Sequence, residues 1–115
     1  MNAETLRQLI CNCRKTKVRT IGFPRDWDPT KIKNPEENGS YFTEAGAWEF
    51  IAAKLEAGHP FDVISLNNPP GVPAMVMKIH LEIGAPLLYV KIQVGNRNNP
   101  IGRSFHYSEP NQFTE

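Results

Sequence analysis

The sequence is short of most features that would assign it quickly. It has only two cysteines, Cys11 and Cys13, one residue apart. On a helix that spacing sets them about 200° apart around the axis, too divergent for a mutual disulfide. Without a third cysteine the chain can build neither a disulfide framework nor a cysteine-based zinc site. Reduced thiols in the cytoplasm are the simplest expectation. No apolar run approaches the roughly 18–20 residues of a membrane span, so no membrane partner is expected. The start, Met1-Asn2-Ala3-Glu4-Thr5, lacks the basic and apolar stretches of a secretion signal. An excess of either charge is missing too: 13 Lys and Arg face 12 Asp and Glu, for a net of +1. That excludes a bulk positive field, and any contact with a polyanion must come from a local patch. The pair Asp26 and Asp28 flanks Trp27 among turn-forming residues and reads as part of a loop. Neither a metal nor a cofactor is expected.

What is present fits one domain, residues 1–115, on the usual scale of roughly 100–150 residues. Hydrophobic residues reach 40%, enough for one modest core. Ten prolines and eight glycines point to long irregular connections, short of the roughly 25–30% that marks low complexity. Leu6, Leu9, Ile10 and Cys13 follow the spacing of an apolar helical stripe, with Asn2 as its cap and Arg14, Lys15 and Lys17 at its close. An extended stretch, Val18 to Phe23, then stops at Pro24. Residues 24–42 show no periodicity, and so many structureless residues invite a use. They read as a loop pinned by Trp27, or as a lid or partner-binding segment.

A second helix opens at the cap Thr43 and stops at Gly58, with Ala47, Ile51 and Leu55 central to a broad apolar face. Strands follow at Asp62–Leu66, Ala74–Leu81, Leu87–Val94 and Ile101–Tyr107. The expected fold is α+β: a small antiparallel sheet, a meander of three to four strands, with two helices packed on one face.

Alternation sends Lys78, His80, Tyr89, Lys91 and Gln93 to the sheet face away from the helices. The last strand is ambiguous, because turning Phe105 inward also turns Arg103 and Tyr107 inward, and burying an unpaired arginine is very costly. A bulge near Gly102 would bring Arg103 out while keeping Phe105 inside. Arg103, Ser104, His106 and Tyr107 therefore all stay in play. Residues 74–108 carry Lys78, Lys91, Arg97 and Arg103 against Glu82, a net of +3, whereas residues 43–73 have a net of −3. Cations with histidine and tyrosine on an open sheet suit a sugar-phosphate backbone with stacked bases. The same groups supply what metal-independent RNA cleavage needs: a base for the 2′-hydroxyl, an acid for the leaving oxygen, and cations for the transition state. The candidate catalytic residues are Lys91, Arg103, His106, Tyr89 and His80. Lys78, Gln93, Ser104 and Tyr107 are candidate substrate contacts.

The segment Lys17-Val18-Arg19-Thr20 after the first helix and the strand Tyr89-Val90-Lys91-Ile92-Gln93-Val94 carry a family resemblance. With the terminal Gly102-Arg103-Ser104-Phe105-His106-Tyr107, the layout resembles the RelE/MqsR type of bacterial toxin, the mRNA interferases of type II toxin–antitoxin pairs. The resemblance implies a metal-independent endoribonuclease acting on mRNA, possible ribosome association, and a cognate antitoxin protein as partner. Lys91, then Arg103 and His106, are the residues it favours. Two other readings stay open. The same face could bind single-stranded nucleic acid without cleaving it, or the 24–42 segment could make the chain a protein-interaction module.

Overall fold

The computed structural model describes residues 1–108, except for the side chains of 23–25; the acidic tail from Glu109 lies outside the described residues. Two α-helices and five strands occur in the order α1 (Ala3–Cys13), β1 (Thr20–Trp27), α2 (Glu44–Glu56), β2 (Asp62–Asn67), β3 (Pro70–Ile79), β4 (Leu88–Val94) and β5 (Pro100–Tyr107). The helix ends follow their local chemistry. The Asn2 side chain accepts from the Thr5 amide at 2.8 Å, and the Thr43 hydroxyl accepts from the Gly46 amide at 2.9 Å. Each satisfies one of the amides that a helix start leaves unpaired. Helix α2 runs out at Gly58, whose φ of 81° is left-handed.

Arg14 departs from expectation. Its guanidinium turns away from its own helix end and binds Glu49 and Glu56 of α2, through four hydrogen bonds between 2.7 and 3.1 Å. The two carboxylates hold the guanidinium well above its ordinary pKa, and Arg14 holds the Glu56 carboxyl below its own. The two cysteines differ in their surroundings. Cys13 is buried, its thiol pushed up to about 12 by that burial, whereas Cys11 is exposed.

The sheet has the order β1-β5-β4-β3-β2, with β1 parallel to β5 and every other pair antiparallel. This corrects the expected antiparallel meander of three to four strands. The meander is β2 to β5, and a fifth strand joins it in parallel. Pro24 does not end β1, for two physical reasons. The strand lies at the sheet edge, and Pro24 falls in a stretch where pairing with β5 breaks between Ile21 and Asp26. The rest of the irregular segment holds 3-10 turns at Pro29–Lys31 and Pro35–Glu37 and a single bridge between Lys33 and Tyr41.

One face of the sheet forms the core. Met75, Met77, Ile79, Leu88, Val90, Ile92 and Phe105 meet Leu9, Ile10 and Cys13 of α1 and Trp48, Ile51 and Leu55 of α2. Trp27 closes one end. Its ring centre lies 4.9 Å from that of Trp48 and 5.5 Å from that of Phe105, and its indole N–H donates to the Glu44 carboxylate. A Cβ added to Gly102 would stand 2.8 Å from the Trp27 ring. Gly102 is therefore glycine because the indole already fills the space of a side chain. Gly102→Ala should lower unfolding free energy by about 1–3 kcal/mol, the usual penalty of overpacking. Urea denaturation checks this, and an unchanged midpoint would contradict the packing described.

Candidate nucleic-acid interface

The helices cover one side of the sheet, so alternation leaves the opposite side to build a surface. Cross-strand register arranges that surface in rows. The first row is Lys78 of β3, Tyr89 of β4 and His106 of β5. The second runs Asp62, Val76, Lys91, Ser104 and Asp26. The third runs Ile64, Ala74, Gln93, Ile101 and Thr20.

Arg103 stands between the second and third rows. Lys91 and Ile92 are consecutive on β4, yet they pair with Ser104 and Gly102, leaving Arg103 as the extra residue of a bulge. The bulge expected near Gly102 is thus present, and it keeps Phe105 inside while Arg103 comes out. On the other side of β5, strand β1 also skips, from Ile21 opposite Gly102 to Asp26 opposite Ser104. The Arg103 guanidinium donates to the Gln93 side-chain oxygen at 2.8 Å and to the Asn68 carbonyl of the β2–β3 turn at 3.3 Å. A guanidinium carries five donors, so capacity remains for an anionic oxygen.

The first row holds the chemistry. The rings of Tyr89 and His106 stack at 5.6 Å between centres with 27° between planes. The Lys91 ammonium lies 5.8 Å from the Tyr89 ring centre. His106 Nδ1 lies 3.0 Å from the Tyr107 carbonyl oxygen. A carbonyl can only accept, so Nδ1 must carry a proton, and Nε2 of the neutral ring keeps its lone pair. The backbone of β5 thereby selects the tautomer in which the far nitrogen is the base.

The sequence candidates divide by placement. Lys78 is exposed on the first row, and His80 is exposed one residue past the end of β3. Tyr89, Lys91, Arg103 and His106 are half-buried on the open face, whereas Gln93 and Ser104 are buried there. Tyr107 does not join them. It pairs with Leu88 and packs against the core on the helix side, where burial and the Glu82 charge raise its phenol pKa. Two acids on this face, Asp26 and Asp62, were not among the sequence candidates. Locating Asp62 requires the β2–β3 register, which local pattern does not supply.

Among the described residues, no three His, Cys, Asp or Glu side chains gather as metal ligands. No described helix is long and apolar enough to cross a membrane. Comparison with known proteins finds no matching family model, curated relative or solved structure. The geometry of His106 makes a direct prediction. Nitrogen NMR of the neutral imidazole should find the proton on Nδ1, and a proton on Nε2 would contradict the hydrogen bond to Tyr107.

Proposed function

We propose that this chain is a metal-independent endoribonuclease of the mRNA-interferase type, acting on single-stranded RNA laid across the open sheet face. One observation carries the reading: His106, its basic nitrogen freed by the Tyr107 carbonyl, stacks on Tyr89 in a row that begins at Lys78 and adjoins Lys91. Electrostatics agree. Lys78, Lys91 and Arg103 outnumber the acids Asp26 and Asp62 on this face, while α2 on the opposite layer carries Glu44, Glu49 and Glu56. RNA backbone and bases would meet cations and aromatic planes together.

In the proposed reaction, Nε2 of His106 takes the proton from a ribose 2′-hydroxyl. The 2′-oxygen forms a bond to phosphorus as the bond to the 5′-oxygen breaks. The departing 5′-oxygen takes a proton from the Tyr89 phenol or from His80, exposed just past the end of β3. Lys91 and Arg103 stabilise the charge that develops on the phosphoryl oxygens. The products are a 2′,3′-cyclic phosphate and a 5′-hydroxyl. A cognate antitoxin protein would be the natural partner of such an activity.

Incubating the purified chain with RNA and with translating ribosomes tests this. Cleavage should persist in EDTA and leave cyclic phosphate ends. His106→Ala should slow it by roughly 100-fold or more, the scale of losing one general base or acid. RNA binding that is sensitive to salt but never leads to cleavage would instead favour a purely binding sheet. Intact RNA without binding would overturn the reading.

A further inference from the structure

Beside Lys78, at the β2 edge of the same face, lies a pocket of about 310 Å3 lined by His59, Pro60, Phe61, Asp62, Val76 and Lys78. Its size is at the small end of the roughly 300–1,000 Å3 of ligand sites. It adjoins the first row, because Lys78 belongs to both. With strands about 4.8 Å apart, Lys78 and His106 stand roughly 10 Å apart across β3, β4 and β5. Asp62, on β2, is one strand further out, so a base resting in the pocket would lie further along the same RNA strand, more than one nucleotide from the phosphate at His106.

The pocket's groups are unspent. The side chains of Asp62 and Lys78 make no hydrogen bond or ion pair among the described residues. Asp62 pairs with Val76, so Lys78 is its diagonal neighbour on the same face. Phe61 is half-buried, packed against the core, and lines the pocket. His59 donates from Nδ1 to the Pro60 carbonyl at 2.8 Å, which leaves its Nε2 as an acceptor in the neutral ring. The pocket thus offers a carboxylate, an imidazole acceptor, an ammonium donor and an apolar lining.

We propose that this pocket seats a guanine base of the bound RNA, with Asp62 reading its Watson–Crick edge. The inference rests on the RNA-binding reading above and adds the base that the site selects. A carboxylate only accepts, so it favours a base edge with two adjacent donors. Guanine alone has that edge, N1–H beside the N2 amino group. Uracil sets its single N–H between two carbonyl oxygens, and cytosine and adenine set a ring-nitrogen acceptor beside their amino group. Each of those would bring a lone pair against the Asp62 oxygens. Lys78 is placed to donate to guanine O6, and Phe61 and Val76 supply the apolar part of the lining. Reading an unpaired base by its edge is the usual route to RNA specificity.

The test uses the full chain and short 2′-O-methyl oligonucleotides, which bind but cannot be cleaved by 2′-hydroxyl attack. The set comprises an otherwise uniform adenine strand, the same strand with one guanine, and the same strand with inosine at that position. The guanine strand should bind more tightly than the adenine strand by about tenfold or more, the scale of one bidentate base contact. Inosine, lacking the N2 amino group, should fall between them, a comparison that leaves the protein untouched. Asp62→Asn, an exposed position whose thermal midpoint serves as a folding control, should erase the guanine preference. Equal binding of the three strands, or a preference that survives Asp62→Asn, would overturn the guanine pocket while leaving RNA binding intact. Failure to bind any strand would overturn both readings at once.

Discussion

The structure depends on Trp27 lying flat where Gly102 has no side chain. That contact joins three elements at once. The indole packs on Trp48 of α2 and on Phe105 of β5, and anchors its N–H on Glu44 at the start of α2. Strand β1 is thereby held parallel to β5, with Thr20 and Ile21 paired before a skip and Asp26 and Trp27 paired after it. Backbone pairing is interrupted there, and the aromatic cluster adds a side-chain anchor that holds β1 to β5 and to α2. Any larger residue at 102 would displace the indole and loosen the edge.

The same locus shapes the open face. Gly102 faces the core under Trp27, and Phe105 must also face the core; between them a strand with strict alternation would turn one polar side chain inward. The bulge at Arg103 absorbs the mismatch by inserting one residue. Its guanidinium then spans to Gln93 and to the carbonyl of Asn68, tying the β2–β3 turn to the central strands. The core packing and the display of cations are two sides of one register problem. His106 benefits in turn, since its neighbour Tyr107 packs against the core and holds the carbonyl that selects the imidazole tautomer.

Much of this was legible from local pattern. The caps at Asn2 and Thr43, the stop at Gly58 and the four meander strands each follow from a few adjacent residues; the structure has all of them, with β3 running Pro70–Ile79 instead of Ala74–Leu81, which leaves His80 past its end. Alternation alone sent Lys78, Tyr89 and Lys91 to one face. The cost of burying Arg103 pointed to the bulge. What escaped the sequence is long-range. Nothing near Val18–Phe23 says that it will pair in parallel with the last strand, and Pro24 reads as a stop unless the edge position is known. Arg14 reads as a partner for its own helix end until α2 brings Glu49 and Glu56 beside it. Tyr107 needed the β4 register to be assigned to the helix side, and Asp62 needed the hairpin register to be set beside Lys78.

The central claim is that single-stranded RNA lies on the open face along the Lys78, Tyr89 and His106 row. The most direct measurement is an NMR titration of the labelled chain with a 2′-O-methyl RNA strand. The account predicts that shift changes concentrate at Lys78, Tyr89, Lys91, Arg103 and His106, and leave the outer surfaces of α1 and α2 silent. Changes confined to the helices or to the 28–42 segment, or none at all, would contradict it.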